Sequence, residues 1–183
     1  SKILDYLKEK GHTYLLEGAV WLKTTAYNDE KDRVIIKSDG SLTYLAPDIA
    51  YHMNKLNRGY TSLIDVLGAD HHGYINRLKS AIYLAGGNPE AINIDILQMV
   101  RAIKDGEEVK MSKRSGKAIT LRDLIDEVGS DALRFFYISK SLSTHIDLDL
   151  DLAVKNSNEN PVYYVQYAYA RINSLFRVFA ENY

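Results

Sequence analysis

The sequence predicts an α/β protein in which helices and short strands alternate. Helical apolar spacing recurs along the chain, and short apolar runs with glycine-containing turns lie between the helical segments. This alternation is typical of proteins in which helices cover a sheet. Apolar residues make up 46% of the 183 residues and charged residues 26%, which is an ordinary balance for a globular protein with a buried core. The length predicts one domain, or one domain with part of another.

Composition excludes several classes of protein. The formal net charge is −1, from 23 basic and 24 acidic residues, so any surface for nucleic acid or anionic membrane must be local. The absence of cysteine excludes disulfides, thiolate metal sites and thiol nucleophiles, and it fits a reducing compartment. No apolar run approaches the roughly 18 residues of a membrane span, and residues 1–10 lack the apolar core of a signal peptide. We therefore expect a cytoplasmic protein without a membrane partner.

Apolar spacing, together with glycine and proline at the ends, justifies the elements of the first half. Gly11 is a helix stop signal, Asp39-Gly40 is a hairpin turn signal, Pro47 favours a helix start and Gly59 favours its end. In order, we predict a helix over 1–10, a hairpin with strands 34–36 and 42–45, a helix from Pro47 to Gly59, a buried parallel strand over 62–67 and a helix over 72–85.

The second half begins with isoleucines that alternate with polar residues from Ile92, and Asp105-Gly106 is a second hairpin turn signal. We predict a strand from about 92, a hairpin at 105–106, helices over 121–128 and 131–142, an alternating strand over 146–152 and one amphipathic helix over the last 22 residues. A lone terminal helix cannot bury its own apolar face. We therefore expect the chain to be cut inside a larger protein.

The strongest local feature is a basic segment over residues 109–117. Four cations fall within residues 110–117 with no acid among them, just after the second hairpin. Such a loop can close on phosphate groups and neutralise the charge that develops during displacement at phosphorus. The alternative is a solvated surface loop. Motifs of P-loop proteins, dinucleotide-binding folds, serine hydrolases and zinc proteases are absent from the sequence.

Inside this segment, the order Lys-Met-Ser-Lys at 110–113 resembles the Lys-Met-Ser-Lys-Ser signature of class I aminoacyl-tRNA synthetases, with Arg114 in place of the final serine. Four further segments, in matching order and spacing, resemble the arginyl-tRNA synthetase family: residues 44–52, 68–74, 131–134 and 160–168. The resemblance covers essentially the whole chain. It implies the fold, the substrates and the site residues of that family.

The resemblance also indicates which part of the family pattern is present. Class I enzymes carry an early His-x-Gly-His element, which this sequence lacks; residues 71–74 match a later part of the pattern. We therefore expect a fragment that is inactive by itself. Its expected parts are the second half of a Rossmann-like nucleotide-binding catalytic domain over 1–108, the signature loop with a small α+β stem-contact region over 109–152, and the first helix of an anticodon-binding helical bundle over 153–183.

Tyr44 and Asp48 lie four residues apart at a predicted strand-to-helix junction. A carboxylate there can pair with a guanidinium in bidentate fashion, and a phenol can pack against or hydrogen-bond the same planar group. The local pattern alone favours a structural alternative, with Asp48 at a helix N-terminus and Tyr44 in the core. The resemblance implies that both residues bind substrate arginine, with His72 also lining the amino-acid pocket.

Residues 68–72 follow a predicted strand and precede a helix, which is where ligands of α/β sheets bind. Gly68 would let a nucleotide approach, and Asp70 would accept hydrogen bonds from ribose hydroxyls. A metal site of Asp70 with His71 and His72 is disfavoured, because adjacent residues rarely point at one ion. The resemblance implies catalytic roles for Lys110 and Lys113, which would stabilise phosphates. It implies ATP binding by Gly68, Asp70, His71, Val109, Met111 and Ser112.

Asp147, Asp149 and Asp151 alternate with aliphatic residues. An EF-hand is excluded because its glycine and distal glutamate are missing. A strand with one solvated acidic face is predicted instead.

Four tyrosines lie on the predicted terminal helix at 163, 164, 167 and 169. Helical spacing favours packing in a bundle core for most of them. The resemblance places this helix near tRNA, where exposed tyrosines could stack on bases. It implies tRNA contacts by Tyr163, Tyr167 and Arg171.

The function implied by the resemblance is ligation of arginine to tRNA(Arg). The ionised carboxylate of arginine attacks the α-phosphate of ATP, pyrophosphate leaves, and the terminal ribose of the tRNA then attacks the adenylate. Mg²⁺ would accompany ATP, no protein-held metal or other cofactor is expected, and the intact protein is expected to be a monomer. The alternative is a non-catalytic module for nucleic acid or protein that retains the same scaffold.

Overall fold

The computed structural model describes residues 2–109 and 119–182. The chain forms two compact units, Ser1–Leu97 and Gln98–Tyr183, and each has its own cluster of buried apolar side chains.

The first unit contains an antiparallel sheet, a parallel strand pair and helices packed against them. In chain order its elements are α1 (Lys2–Glu9), β1 (Thr13–Leu16), β2 (Ala19–Leu22), β3 (Arg33–Ile36), α2 (Leu45–Asn57), β4 (Leu63–Gly68), α3 (Tyr74–Leu84) and β5 (Ile92–Leu97). The antiparallel sheet has the order β1–β2–β3. β4 and β5 pair in parallel, and α3 connects them along the chain.

One apolar cluster holds the helices of this unit on its strands. Leu7, Ile49 and Ile82 are fully buried in the cluster, and each such side chain contributes about 1.5–3 kcal/mol of transfer free energy. Gly87 lets the end of α3 approach α2 closely, because a Cβ there would lie 2.8 Å from the Met53 sulfur. This packing fixes α2 relative to α3, and the first residues of both helices line one cavity.

The structure confirms the predicted first helix, the parallel pairing of the 62–67 strand, the 72–85 helix and the strand from 92. The predicted hairpin forms only in part, as a single bridge between Ile36 and Leu42, because the chain enters α2 at Leu45, two residues before Pro47. The prediction that β4 is buried on both faces was wrong. Ile64 and Val66 are 66% and 58% exposed, so only one face of the strand is covered.

The second unit combines a small mixed sheet with helices. Its described elements are β6 (Val100–Lys104), β7 (Glu107–Glu108), α4 (Leu121–Val128), α5 (Ser130–Ile138), β8 (Ile146–Asp149), α6 (Leu150–Val154) and α7 (Pro161–Asn182). The sheet has the order β7–β6–β8, antiparallel between β6 and β7 and parallel between β6 and β8. Leu124, Leu133 and Leu148 belong to its buried cluster.

Local signals explain most of these elements. Asp105 and Gly106 both have positive φ and form the predicted hairpin turn. Thr120 and Asp123 form a capping box at the start of α4. Asn160 accepts the backbone N–H of Val162 at the start of α7, so the terminal helix is confirmed. The helix predicted to reach Leu142 ends at Ile138, however.

The strand predicted over 146–152 ends at Asp149, where the chain turns into α6. The Asp149 carboxylate accepts the backbone N–H of Leu152 at 2.8 Å and caps this helix. Alternation after Asp149 was therefore a misleading signal, because a helix-capping side chain overrides the period-two pattern.

Within residues 2–109 and 119–182, no helix is both long enough and apolar enough to cross a membrane.

Candidate active site

A cavity of about 640 Å³ lies at the start of α2 in the first unit. It is bordered by β3, the first turns of α2 and α3, and the end of β4. Charged and aromatic groups line it together with apolar ones, which is typical of a small-molecule site. The lining residues are Arg33, Val34, Thr43, Tyr44, Leu45, Asp48, Leu67, His71, Tyr74 and Arg77.

Asp48 is the acidic group of this cavity. It lies in the first turn of α2, where the helix dipole favours negative charge. The Tyr74 hydroxyl, from the first residue of α3, donates a hydrogen bond to Asp48 Oδ2. Burial and then this carboxylate raise the pKa of Tyr74 well above its ordinary value, so the phenol stays a donor throughout the neutral range. The other Asp48 oxygen has no hydrogen-bond donor among the described residues.

Two arginines also border the cavity, and their surroundings differ. Arg33 donates through Nε and Nη2 to the two oxygens of Asp29, at 2.7 and 2.5 Å. Burial alone would raise the pKa of Asp29, but hydrogen bonds with Arg33 and Thr24 outweigh it and hold that pKa below its usual value. Arg77 instead lies with its Cζ 5.4 Å above the ring of Tyr74.

A buried histidine connects the backbone of Asp48 to β4. His52 lies one turn after Asp48 on α2 and is only 6% exposed. Its Nδ1 donates to the Asp48 carbonyl oxygen at 2.8 Å, since a carbonyl can only accept. Its Nε2 lies 2.6 Å from Asp65 Oδ2 on β4, and Lys55 Nζ lies 3.3 Å from the other Asp65 oxygen. This network ties the first turn of α2 to the sheet.

Three of the residues predicted from the sequence meet at the cavity: Tyr44, Asp48 and His71. Tyr44 is 89% exposed at the N-cap of α2, so it is not a core residue. His72 does not line the cavity and is exposed.

Gly68, where a nucleotide is predicted to approach, is the exposed last residue of β4, and Asp70, the predicted ribose contact, is exposed just after the strand. A Cβ on Gly68 would lie 2.8 Å from Asp70 Oδ1, so the glycine permits close approach of this carboxylate. Asp70 Oδ2 is 3.6 Å from His71 Nε2. No group of three histidine, aspartate or glutamate side chains within the described residues is arranged to hold a metal ion.

Four predicted residues of the basic segment, at 110–113, lie outside the described residues. Val109, the remaining member, is half-buried against the apolar cluster of the second unit. Its backbone N–H donates to the Ala102 carbonyl at 2.8 Å.

The predicted tRNA contacts lie on α7. Tyr163 and Tyr167 stack with ring centroids 6.5 Å apart, and Arg171 is exposed one turn further on. Tyr164, Tyr167 and Tyr169 are 59%, 50% and 70% exposed. These tyrosines are therefore mostly exposed in this chain, since α7 has solvent on most of its surface, and their packing in the core of a helical bundle stays a prediction.

Sequence reasoning missed Tyr74, Arg77 and His52 as parts of the site. Tyr74 reaches Asp48 across 26 residues, and no local pattern announces such a contact. His52 carried one usable signal, since a histidine four residues after an acid on a helix faces the same side.

The sequence model of the family "tRNA synthetases class I (R), catalytic domain" matches residues 1–146. The chain is 60% identical over 174 residues to an arginine–tRNA ligase of Bacillus licheniformis, covering 95% of the chain and 31% of that relative. It is 58% identical to the arginine–tRNA ligase of Geobacillus thermodenitrificans, covering 98% and 32%. The chain thus spans about a third of the length of these relatives.

Solved structures agree. A crystal structure from Campylobacter jejuni that carries the name arginyl-tRNA synthetase superposes with a TM-score of 0.85 at 46% identity, covering 96% of this chain and 38% of that one. The Thermus thermophilus arginyl-tRNA synthetase has a TM-score of 0.73 at 18% identity, covering 96% and 39%, which supports the fold alone. The mixed α/β fold and the family resemblance seen in the sequence are confirmed. Because the family match takes in residues 1–146 of 183, the chain belongs to the class I (R), or arginine, tRNA synthetases and carries part of their catalytic domain.

Proposed function

We propose that this chain contributes the amino-acid pocket of an enzyme that activates arginine with ATP and transfers it to tRNA(Arg). The observation that carries the proposal is the meeting of Tyr44 and Asp48 in one cavity of a chain that belongs to this family. A carboxylate with one oxygen free of donors is suited to a guanidinium, which is a planar cationic fork.

In this proposal, Asp48 accepts hydrogen bonds from the guanidinium of arginine. Tyr74 donates to Oδ2 and fixes the orientation of the carboxylate, which leaves Oδ1 directed to the ligand. The exposed phenol of Tyr44 then packs on the planar group or bonds to it. Asp48 has no positive partner among the described residues, so the incoming cation supplies its counter-charge.

Activation itself needs no nucleophile from the protein. The arginine carboxylate oxygen attacks the α-phosphorus of ATP, the bond to the bridging oxygen breaks, and pyrophosphate leaves with that electron pair. A hydroxyl of the terminal tRNA ribose then attacks the adenylate carbonyl, and AMP leaves. Positioning and charge stabilisation supply catalysis of this kind. Lys110 and Lys113 would stabilise the phosphates, and Mg²⁺ would accompany ATP as its counter-ion.

The nucleotide would lie at the end of β4. Gly68, Asp70 and His71 are assigned to ATP, with Asp70 accepting from the ribose hydroxyls, and His72, which does not line the cavity, is left without an assignment to arginine. Val109, Met111 and Ser112 are assigned to the adenine side. The exposed ends of Asp70 and His71 support these assignments. Tyr163, Tyr167 and Arg171 are proposed contacts for tRNA, supported by the exposure of Tyr167 and Arg171 on α7 and by the stacking of Tyr163 on Tyr167.

The finer division of the chain is also a proposal. We assign residues 1–108 to the second half of a Rossmann-like catalytic domain, 109–152 to the signature loop with the stem-contact region, and 153–183 to the start of a helical anticodon-binding bundle. The parallel pair β4–β5 joined through α3 supports the first assignment. A monomeric protein in the cytoplasm is the corresponding proposal for assembly and location.

An aminoacylation assay tests this function. The natural full-length protein is incubated with ATP, Mg²⁺, tRNA(Arg) and labelled arginine, and acid-precipitable arginyl-tRNA is measured. Formation of arginyl-tRNA, with labelled lysine unreactive, is expected. Absence of any product would favour the non-catalytic alternative. The 183-residue chain alone is expected to form no product.

Lys113→Ala in the full-length protein separates phosphate stabilisation from arginine binding. Loss of one preorganised partner of transition-state charge costs about 2.7–4 kcal/mol, or about 10²–10³ in kcat. The KM for arginine is expected to stay nearly constant. A kcat change of less than about threefold would remove this lysine from the phosphate site.

A further inference from the structure

The cavity at the start of α2 contains one guanidinium, that of Arg77, which no acidic side chain of residues 2–109 or 119–182 neutralises. Arg33 is held by both oxygens of Asp29. Arg77 makes no ion pair and no hydrogen bond within the part of the chain that the structure describes, and its Nε is buried without an acceptor. Of the two arginines of this cavity, Arg33 is thus engaged by the protein, whereas Arg77 has hydrogen-bond donors available for a ligand.

Tyr74 keeps Arg77 in this position. The guanidinium Cζ lies 5.4 Å above the Tyr74 ring, while the Tyr74 hydroxyl bonds to Asp48. One tyrosine thus uses its ring face for a cation and its hydroxyl for an anion. Arg77 and Asp48 form no ion pair with each other, so the cavity presents a separate positive and a separate negative group.

A buried N–H of a charged group is costly to leave without an acceptor, and native structures rarely do so. A guanidinium offers a fork of donors that matches two oxygens of a carboxylate or phosphate. The described residues supply no acceptor to Arg77, and its Nη groups are not among the buried atoms. A ligand that brings an oxyanion into the cavity would therefore pair with these Nη groups.

We propose that Arg77 forms an oxyanion subsite in this cavity, binding either the α-carboxylate of the amino acid or a phosphate of ATP. The inference rests on the proposed function, in which Asp48 binds the guanidinium of arginine. An amino acid with a cationic side chain carries a positive charge for Asp48 and an α-carboxylate for Arg77. ATP is the other source of an oxyanion, through its phosphates. Arg77 would orient the acidic end of the ligand while Tyr74 separates it from Asp48.

Equilibrium binding to the natural full-length protein tests this subsite. Dissociation constants are measured by calorimetry for L-arginine, for agmatine (arginine without its carboxylate), for ATP and for adenosine. If Arg77 binds the carboxylate, Arg77→Gln weakens L-arginine about tenfold or more. Agmatine is then unchanged or binds more tightly, since a repelling cation has been removed. If Arg77 binds phosphate, the variant lowers the affinity for ATP by about tenfold or more and leaves the affinity for adenosine unchanged.

Two further variants keep the result interpretable. Arg77→Lys retains the positive charge, so it should recover part of the lost affinity for the same ligand. Arg58→Gln is the matched control, because Arg58 also lies over a tyrosine ring, 4.9 Å from that of Tyr60, but borders no part of this cavity. It should leave all four dissociation constants unchanged. Circular dichroism verifies that each variant is folded.

Unchanged affinities for all four ligands in folded Arg77→Gln overturn the proposal. The proposal is also overturned if Arg77→Gln weakens the binding of L-arginine and agmatine equally and leaves ATP binding unaffected. The effect would then be independent of the carboxylate. Failure of the proposed function has a different signature, because the wild type would then bind neither L-arginine nor agmatine. In that case the comparison of ATP with adenosine still decides whether Arg77 binds an oxyanion.

Discussion

Asp48 and the acidic run at 147–151 are similar in sequence, since each aspartate has apolar neighbours, but their contacts in the structure differ. Asp48 faces a cavity and receives a hydroxyl from a residue 26 positions away. Asp147 is paired with Arg101, whose Nε and Nη2 each donate at 2.8 Å. Asp149 caps α6, and Asp151 accepts the backbone N–H of Asp105 at 2.6 Å.

This contrast shows what makes a carboxylate available to a ligand. The carboxylates of the acidic run are engaged by donors from their own unit, each of which completes a turn, a cap or a strand pair. Asp48 is fixed through one oxygen and through its backbone carbonyl, and its remaining oxygen has no donor among the described residues. A hydrogen-bond donor that orients a carboxylate without neutralising its charge is therefore a better sign of a ligand-binding site than the carboxylate alone.

The largest expected effect on folding concerns the support of Asp48. His52→Ala removes a buried ring and its bonds to the Asp48 carbonyl and to Asp65. We expect the free energy of unfolding to fall by about 2–3 kcal/mol, measured by urea denaturation with Trp21 fluorescence. His145→Ala, at an exposed position, serves as the control. A loss below about 0.5 kcal/mol in His52→Ala would show that this network is not structural.

Next in size is the hydroxyl that orients Asp48. Tyr74→Phe keeps the ring beneath Arg77 and deletes one hydrogen bond to a carboxylate. The affinity for arginine should fall about fivefold to tenfold, corresponding to about 1–1.4 kcal/mol, as measured by calorimetry. Tyr60→Phe, which lies outside the cavity, should have no effect. Equal affinities in wild type and Tyr74→Phe would mean that Asp48 needs no orienting donor.

The acidic run should respond in stability and not in ligand binding. Asp149→Ala removes the N-cap of α6 and should lower the free energy of unfolding of the second unit by about 1 kcal/mol. Urea denaturation followed by circular dichroism measures this loss. The dissociation constant for arginine should remain that of the wild type. A change in arginine affinity would contradict the division between the two regions.

The smallest effect is expected at the exposed pair of Arg101 and Asp147. The hydrogen bond from Arg101 lowers the pKa of Asp147. Because the folded pKa lies below the unfolded one, any contribution of the pair is present above the unfolded pKa and disappears as the pH falls through the folded pKa. Titration by NMR should show the lowered pKa of Asp147, and Arg101→Gln should return it to the ordinary range. An ordinary pKa in the wild type would indicate that the pair does not persist in solution.

Local signals in the sequence predicted much of the fold. Glycine stops and apolar spacing located α1, α3, α4 and α7 well, because these features act within one element. The hairpin of β1 and β2 was not predicted, since its strands lack clear alternation. Glu17 and Gly18, which both have positive φ at its turn, were the available signal.

The site was predictable only in part. Tyr44 and Asp48 could be chosen because a family pattern joins them, and both line the cavity. Tyr74, Arg77 and His52 could not, since their roles depend on contacts between α2, α3 and β4 that no local pattern encodes. Exposure of the α7 tyrosines likewise depends on what packs around the helix.

The central claim is that Asp48 is a ligand-binding carboxylate, whereas the acidic run is structural. The most direct test is the dissociation constant for arginine in the natural full-length protein with Asp48→Asn or Asp147→Asn, each of which removes one negative charge at nearly constant shape. Asp48→Asn should weaken arginine about 10- to 100-fold, because a charge-assisted pair is lost. ATP affinity should hardly change, and Asp147→Asn should affect neither ligand. Unchanged arginine affinity in folded Asp48→Asn, or equal losses in both variants, would contradict the account.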